Sequence, residues 1–158
     1  MHSIARVALL MVAAVSLACA GGGASLPAPN PERLPFAEKL NVDFAKMTKT
    51  ALGVYVRDLE LGTGPVVQAG QNLTVRYTGS LNNGTEFDKV GPGEKPISFK
   101  LGRRQVIQGW DDGLVGMRVG GRRQLVIPPD LGYGQERSGK IPGDATLVFV
   151  IEIISAKY

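Results

Sequence analysis

From about residue 51 onward, apolar and polar residues alternate over several short stretches, each ending at a cluster of Gly, Pro or Asn. In "QNLTVRYTGSL", Leu73, Val75 and Tyr77 fall on one side and Thr74, Arg76 and Thr78 on the other, the period of two that a half-buried strand imposes. Ile97, Phe99 and Leu101 repeat the pattern, "GVYVRDLELG" gives an earlier strand that stops at "GTGP", and "RRQLVIPP" gives a later one. "ATLVFVIEIIS" is apolar almost throughout, which suits a strand covered on both faces and so placed centrally. "NNGT" at Asn82 to Thr85 predicts a turn, and "GPGEKP" a longer loop. Only "GWDDGLVGM" reads as a helix, with Asp111 and Asp112 placed as charges that favour its N-terminus. About five strands, one short helix and no strand-helix repeat exclude a doubly wound sheet. They predict an α+β fold, a twisted antiparallel half-barrel curled around the helix with an apolar hollow between them.

Upstream the pattern changes. Residues 1–18 place the apolar run "VALLMVAAVSLA" after Arg6, which predicts a signal peptide. "VSLACAGGG" admits two outcomes. Ala18 and Ala20 flank Cys19 as small residues at an ordinary secretory cleavage site, or Cys19 is the lipid attachment site of a bacterial lipoprotein, followed by a Gly-rich tether. The second reading is favoured because Cys19 is the only cysteine and has no other evident purpose. The protein is then expected on the periplasmic face of a bacterial membrane, or soluble in the periplasm or secreted if Cys19 is unmodified. Residues 19–50 read as this attachment, a flexible tether and a lead-in segment, and 51–158 as the domain. Within the lead-in, Phe36, Leu40 and Phe44 have helix-like spacing and predict one or two turns clamped onto the domain.

Composition narrows the chemistry. A chain of 158 residues with 44% hydrophobic content can bury one core. The net charge is a mild +4, and Arg103-Arg104 and Arg122-Arg123 are separate pairs that read as solvated strand ends, so no nucleic-acid partner is expected. The single histidine, His2, lies in the leader and the single cysteine directly after it. Without either residue in the domain, thiol nucleophiles, Ser-His-Asp triads, the usual zinc sites and disulfides are excluded there. "GQERSGKI" has the glycine and lysine spacing of a phosphate loop, but Ile141 stands where a Ser or Thr must hold magnesium, and no helix follows. No cofactor or metal is expected.

What remains is a set of aromatic residues. Tyr77, Phe87, Phe99, Trp110, Tyr133 and Phe149 belong to separate elements that this architecture brings together. Tyr133 sits in a Gly-flanked loop, Phe87 directly follows a turn and Trp110 stands at a helix entrance, positions that line a hollow more often than they fill a core. Asp88 belongs to the same hollow, either as a working carboxylate or as a tie for the next loop.

Taken together, "VRYTGSL", "EFD", "VIQGWDDGLVGMRVGGRRQLVIPPDLGYG" and "IPGDATLVFVIEI" resemble the FKBP-type peptidyl-prolyl isomerases over roughly Gly53 to Ala156. The resemblance implies a cofactor-free enzyme that interconverts cis and trans X-Pro bonds in unfolded or partly folded exported proteins and takes macrolide ligands of the rapamycin type. It implies that Asp88, Tyr133, Ile107 and Tyr77 serve catalysis, Ile107 through its backbone N–H. Trp110 would be the floor beneath the substrate proline, with Phe87, Phe99, Val106 and Phe149 around it. Ile97 stands where many relatives carry an aromatic, and Lys140 where an apolar residue is common, so the rim differs. The alternative is a non-catalytic chaperone module that holds proline-containing segments. A structural envelope protein is a more remote reading, since a complete set of pocket positions would have no use there.

Overall fold

The computed structural model describes residues 27–158; the expected signal peptide and Cys19 lie outside them. Seven strands form one antiparallel sheet: β1 (Thr48–Lys49), β2 (Tyr55–Glu60), β3 (Asn72–Leu81), β4 (Glu86–Val90), β5 (Ile97–Lys100), β6 (Arg122–Ile127) and β7 (Leu147–Lys157). They run in the order β1-β2-β6-β7-β3-β4, with β5 also paired to β3. The central placement of the most apolar strand holds: β7 pairs with β6 on one side and along the whole of β3 on the other. The strand count of about five is too low. β1 is too short to carry a pattern, and β4 is a half-exposed edge with Phe87 as its inward apolar residue.

One α-helix, α1 (Gln108–Gly113), lies against the concave face. Trp110 and Leu114 press into a core that includes Leu73, Leu125, Ile127, Phe149 and Ile151. Two features read differently from sequence anchor it. The Asp111 carboxylate accepts from the N–H groups of Gly102 (2.7 Å) and Arg104 (3.0 Å), so it ties down the loop before the helix; Asp112 accepts from the Thr50 hydroxyl. Arg123 is no solvated strand end. Only 8% exposed, it forks onto both oxygens of Asp58 at 2.7 and 3.0 Å and donates to the carbonyls of Gly113 (2.9 Å) and Val115 (3.3 Å) at the end of α1. A guanidinium there meets both the carboxylate and the unpaired carbonyls that close a helix.

The lead-in covers the convex face as a strap. Where one or two turns were expected, residues 31–46 form three 3-10 turns, Pro31–Arg33, Glu38–Leu40 and Phe44–Lys46. Helical spacing is overridden locally, because Asn41 takes a left-handed conformation (φ 48°) and the Asp43 side chain accepts from Ala45 N–H, starting a new turn. Phe36, Leu40, Val42, Phe44 and Met47 pack on Tyr55, Val126 and Val148, a second apolar layer behind the sheet. Gln124 donates to the Leu40 carbonyl at 2.6 Å, and the Tyr55 hydroxyl to Glu32 at 2.7 Å. The packed unit therefore starts upstream of the boundary expected at residue 51, which falls in the turn between β1 and β2.

Candidate active site

Between α1 and the concave face of the sheet lies a hollow of about 190 Å³. Its floor is Trp110, 4% exposed and held at the helix entrance by donation from its N–H to the Ile107 carbonyl at 3.0 Å. Three rings meet the indole nearly at right angles or tilted: Tyr77 at 5.0 Å, Phe149 at 5.2 Å and Phe99 at 5.6 Å between centroids. Such edge-to-face pairs add about 0.5–1.5 kcal/mol each beyond buried area, so the floor is rigid. Phe87 packs on Phe149 at 5.5 Å and closes one wall.

The room for these rings comes from a missing side chain. Gly79 lies in register with Phe149 on one side and Asp88 on the other. A Cβ there would stand 2.6 Å from the Phe149 ring and 2.8 Å from that of Phe87. Glycine is required by the rings that line the hollow.

The polar groups are few. The Tyr77 hydroxyl donates to Asp88 Oδ2 at 2.6 Å, and Lys89 N–H donates to the other oxygen at 2.9 Å. Burial first, and then the bond to Asp88, hold the Tyr77 hydroxyl well above the usual tyrosine range. Tyr133 is raised likewise, by burial and then by the Asp88 charge. Both phenols are therefore neutral donors across the physiological range. The Ile107 N–H, at the mouth of α1, has no acceptor among the described residues, and the buried Trp110 Nε1 also lacks one.

The structure thus gathers Tyr77, Phe87, Asp88, Ile97, Val106, Ile107, Trp110, Tyr133 and Phe149 around one hollow. Phe99 is the exception. It packs on the Trp110 ring and is not among the residues that line the hollow. Gln105, which no sequence signal singled out, does line it, while its side-chain oxygen accepts from Lys100 N–H at 2.8 Å. A second hollow of about 250 Å³ shares Phe87, Asp88 and Tyr133 and is bounded by Ser138, Lys140 and Ile141, which puts the basic rim residue beside the site. Among the described residues no cluster of His, Cys, Asp and Glu is placed to hold a metal ion.

An open antiparallel sheet, one short helix and an aromatic hollow between them define a class, and comparison with known proteins gives it a name. The family model of the FKBP-type peptidyl-prolyl cis-trans isomerases matches residues 64–154, and the chain belongs to that family. It is 45% identical over 124 residues to FK506-binding protein 4 of Mycosarcoma maydis, covering 76% of this chain and 33% of that protein. To FK506-binding protein 4 of Emericella nidulans it is 42% identical over 137 residues, covering 83% and 28%. The chain thus spans about a third of the length of these curated relatives. Among solved structures, FkpA from Escherichia coli superposes with a TM-score of 0.66 at 35% identity, over 76% of this chain and 55% of that one. A peptidyl-prolyl cis-trans isomerase from Pseudomonas syringae pv. tomato gives 0.64 at 37% identity, over 72% and 82%.

Proposed function

We propose that this chain accelerates cis-trans exchange at X-Pro bonds of exported polypeptides. The observation that carries the reading is the hollow itself: an indole floor, aromatic walls and few polar groups, among them the neutral Tyr133 phenol and the unengaged Ile107 N–H. Rotation about a peptide bond is slow because twisting forfeits amide resonance, a barrier of ~18–20 kcal/mol. No bond breaks, so no nucleophile, proton relay or metal is needed. The planar amide is the more charge-separated form and water favours it; an apolar site withdraws that advantage. A proline ring resting on Trp110 leaves the carbonyl of the twisting bond in apolar surroundings, while the Ile107 N–H and the Tyr133 hydroxyl hold substrate carbonyls outside that bond and Asp88 fixes Tyr77 and sets the local field. Lowering the barrier by about 6 kcal/mol gives about four orders of magnitude, to which desolvation of the twisting amide and the binding energy of the remote contacts both contribute.

The family membership supports this activity. The names of the FK506-binding relatives support macrolide ligands of the same shape, competing for the hollow. Export and lipid anchoring at Cys19 rest on the sequence of residues 1–20. A protease-coupled assay on proline tetrapeptides tests the enzyme: a folded chain that shows only the uncatalysed rate sinks the reading. For the anchor, intact mass should show acyl chains on Cys19, and Cys19→Ser should release the protein from detergent-extracted membranes. An N-terminus without lipid mass would instead establish a soluble exported form.

A further inference from the structure

Phe87 and Asp88 both belong to β4, and β4 is a poorly supported strand. It lies at the end of the sheet order and pairs with β3 alone. A register shift between Gly79 and Ser80 interrupts that ladder beside Asp88, where the backbone pairing is locally disrupted. Something else must fix its position.

At the far end, Gly91 N–H donates to the Glu94 carboxylate. At the near end the grip comes from the strap. Ala37 N–H donates to the Asn82 carbonyl at 2.9 Å, and the Asn82 side-chain amide donates back to the Pro35 carbonyl at 2.9 Å. Gly84, with φ +85°, packs so closely that a Cβ would collide with the Lys39 side chain and stand 2.9 Å from the Ala37 Cβ. The strap is itself fastened to the sheet through Leu40 and Gln124 and through its own apolar layer. The turn that leads into Phe87 and Asp88 is thus clamped from the convex side, while those two residues look onto the hollow on the other.

We infer that residues 35–39 are a positioning element of the reaction: by holding the Asn82 turn they set where Phe87 and Asp88 stand over the hollow. The inference rests on the isomerase reading of that hollow.

Ala37→Pro in the full chain tests it. Ala37 has φ −62°, which proline adopts, so the change removes the donor and sets a ring carbon against the Asn82 carbonyl without demanding a new strap conformation. Turnover per unit KM on a proline tetrapeptide should fall on the order of three- to tenfold, given the steep dependence of such reactions on placement. The backbone amide signals of Phe87 and Asp88 should shift while that of Trp110 stays. Combined with Asp88→Val, the loss should be smaller than the product of the two single losses, because both act through the same strand. Unchanged turnover with unmoved Phe87 and Asp88 signals, or a strictly multiplicative double loss, overturns the inference. If Ala37→Pro fails to fold, Asn82→Ala, which deletes the bond to Pro35, carries the same expectations at smaller size. A folded wild-type chain with no turnover overturns the isomerase reading instead, and the amide shifts alone then decide the strap's hold on β4.

Discussion

The Tyr77 hydroxyl and the Asp88 carboxylate face each other across the β3–β4 pair at 2.6 Å, one donor on one acceptor at the edge of the hollow. Asp88 is solvent-exposed and also accepts from Lys89 N–H, its one other hydrogen bond among the described residues. A hydrogen bond to a carboxylate contributes about 1.5–3 kcal/mol net, toward the lower end at an exposed site such as this one. Asp88→Val should therefore leave the melting temperature within a few degrees of wild type and lower peptide turnover by roughly tenfold, the equivalent of about 1.4 kcal/mol in the barrier. Thermal melts and the tetrapeptide assay on the same preparation separate the two roles. If the variant unfolds while its folded fraction turns over normally, Asp88 is a structural tie.

The raised hydroxyls of Tyr77 and Tyr133 fix a pH dependence. Because their folded pKa values lie above the ordinary 10.0, the folded state favours the protonated phenols. The stability they contribute is complete below pH 10 and is lost as pH rises from there through the folded values. Between pH 7 and 9 these groups should change neither melting temperature nor turnover. Above pH 10, wild type should lose stability more steeply than Tyr77→Phe, which has no such proton to lose. Parallel melting curves for the two proteins up to pH 11 would contradict the burial of this hydroxyl.

Trp110→Leu keeps an apolar floor but removes the plane on which Tyr77, Phe99 and Phe149 rest. Large-to-small changes at such sites cost about 2–4 kcal/mol, which lowers the melting point by roughly 10 °C in a domain of this size. Macrolide binding, followed by calorimetry well below that melting point, should weaken more than tenfold. Full affinity in the variant would show that the ligand does not rest on the indole.

Gly79→Ala adds one carbon where two rings already stand. Overpacking of this kind costs about 1–3 kcal/mol and forces Phe87 or Phe149 off its rotamer. The expected outcome is a joint loss of stability and of substrate affinity, read as a raised KM. An unchanged KM would mean that the rings relax away from the hollow at no cost to it.

How far the sequence could be read depended on whether each residue's partner was local. Alternation found β3 and β5, and the apolar run of β7 placed it centrally, because burial on one face or two writes itself into the order of residues. β4 left no such trace: of its five residues only Phe87 and Val90 are half-buried. The helix-like spacing of Phe36, Leu40 and Phe44 correctly marked an apolar face, but Asn41 and Asp43 broke the helix from within. Arg123 looked like a surface charge because its carboxylate, Asp58, lies on another strand. Phe99 was assigned to the right side of the sheet, but its register says which face it occupies and not that its ring packs on Trp110 outside the lining of the hollow.

The strand that completes the sheet is also the last in chain order among the described residues. Until Leu147–Lys157 has left the ribosome, β6 and β3 have a vacant slot between them, since each pairs with β7 and they do not pair with each other. Phe149, a wall of the hollow, arrives with that strand. A nascent chain that lacks this strand therefore presents two unpaired strand edges and no site, and sheet and hollow close together only once it emerges and distant segments can meet. A protein proposed to help others through slow steps of folding must first pass a late, non-local step of its own.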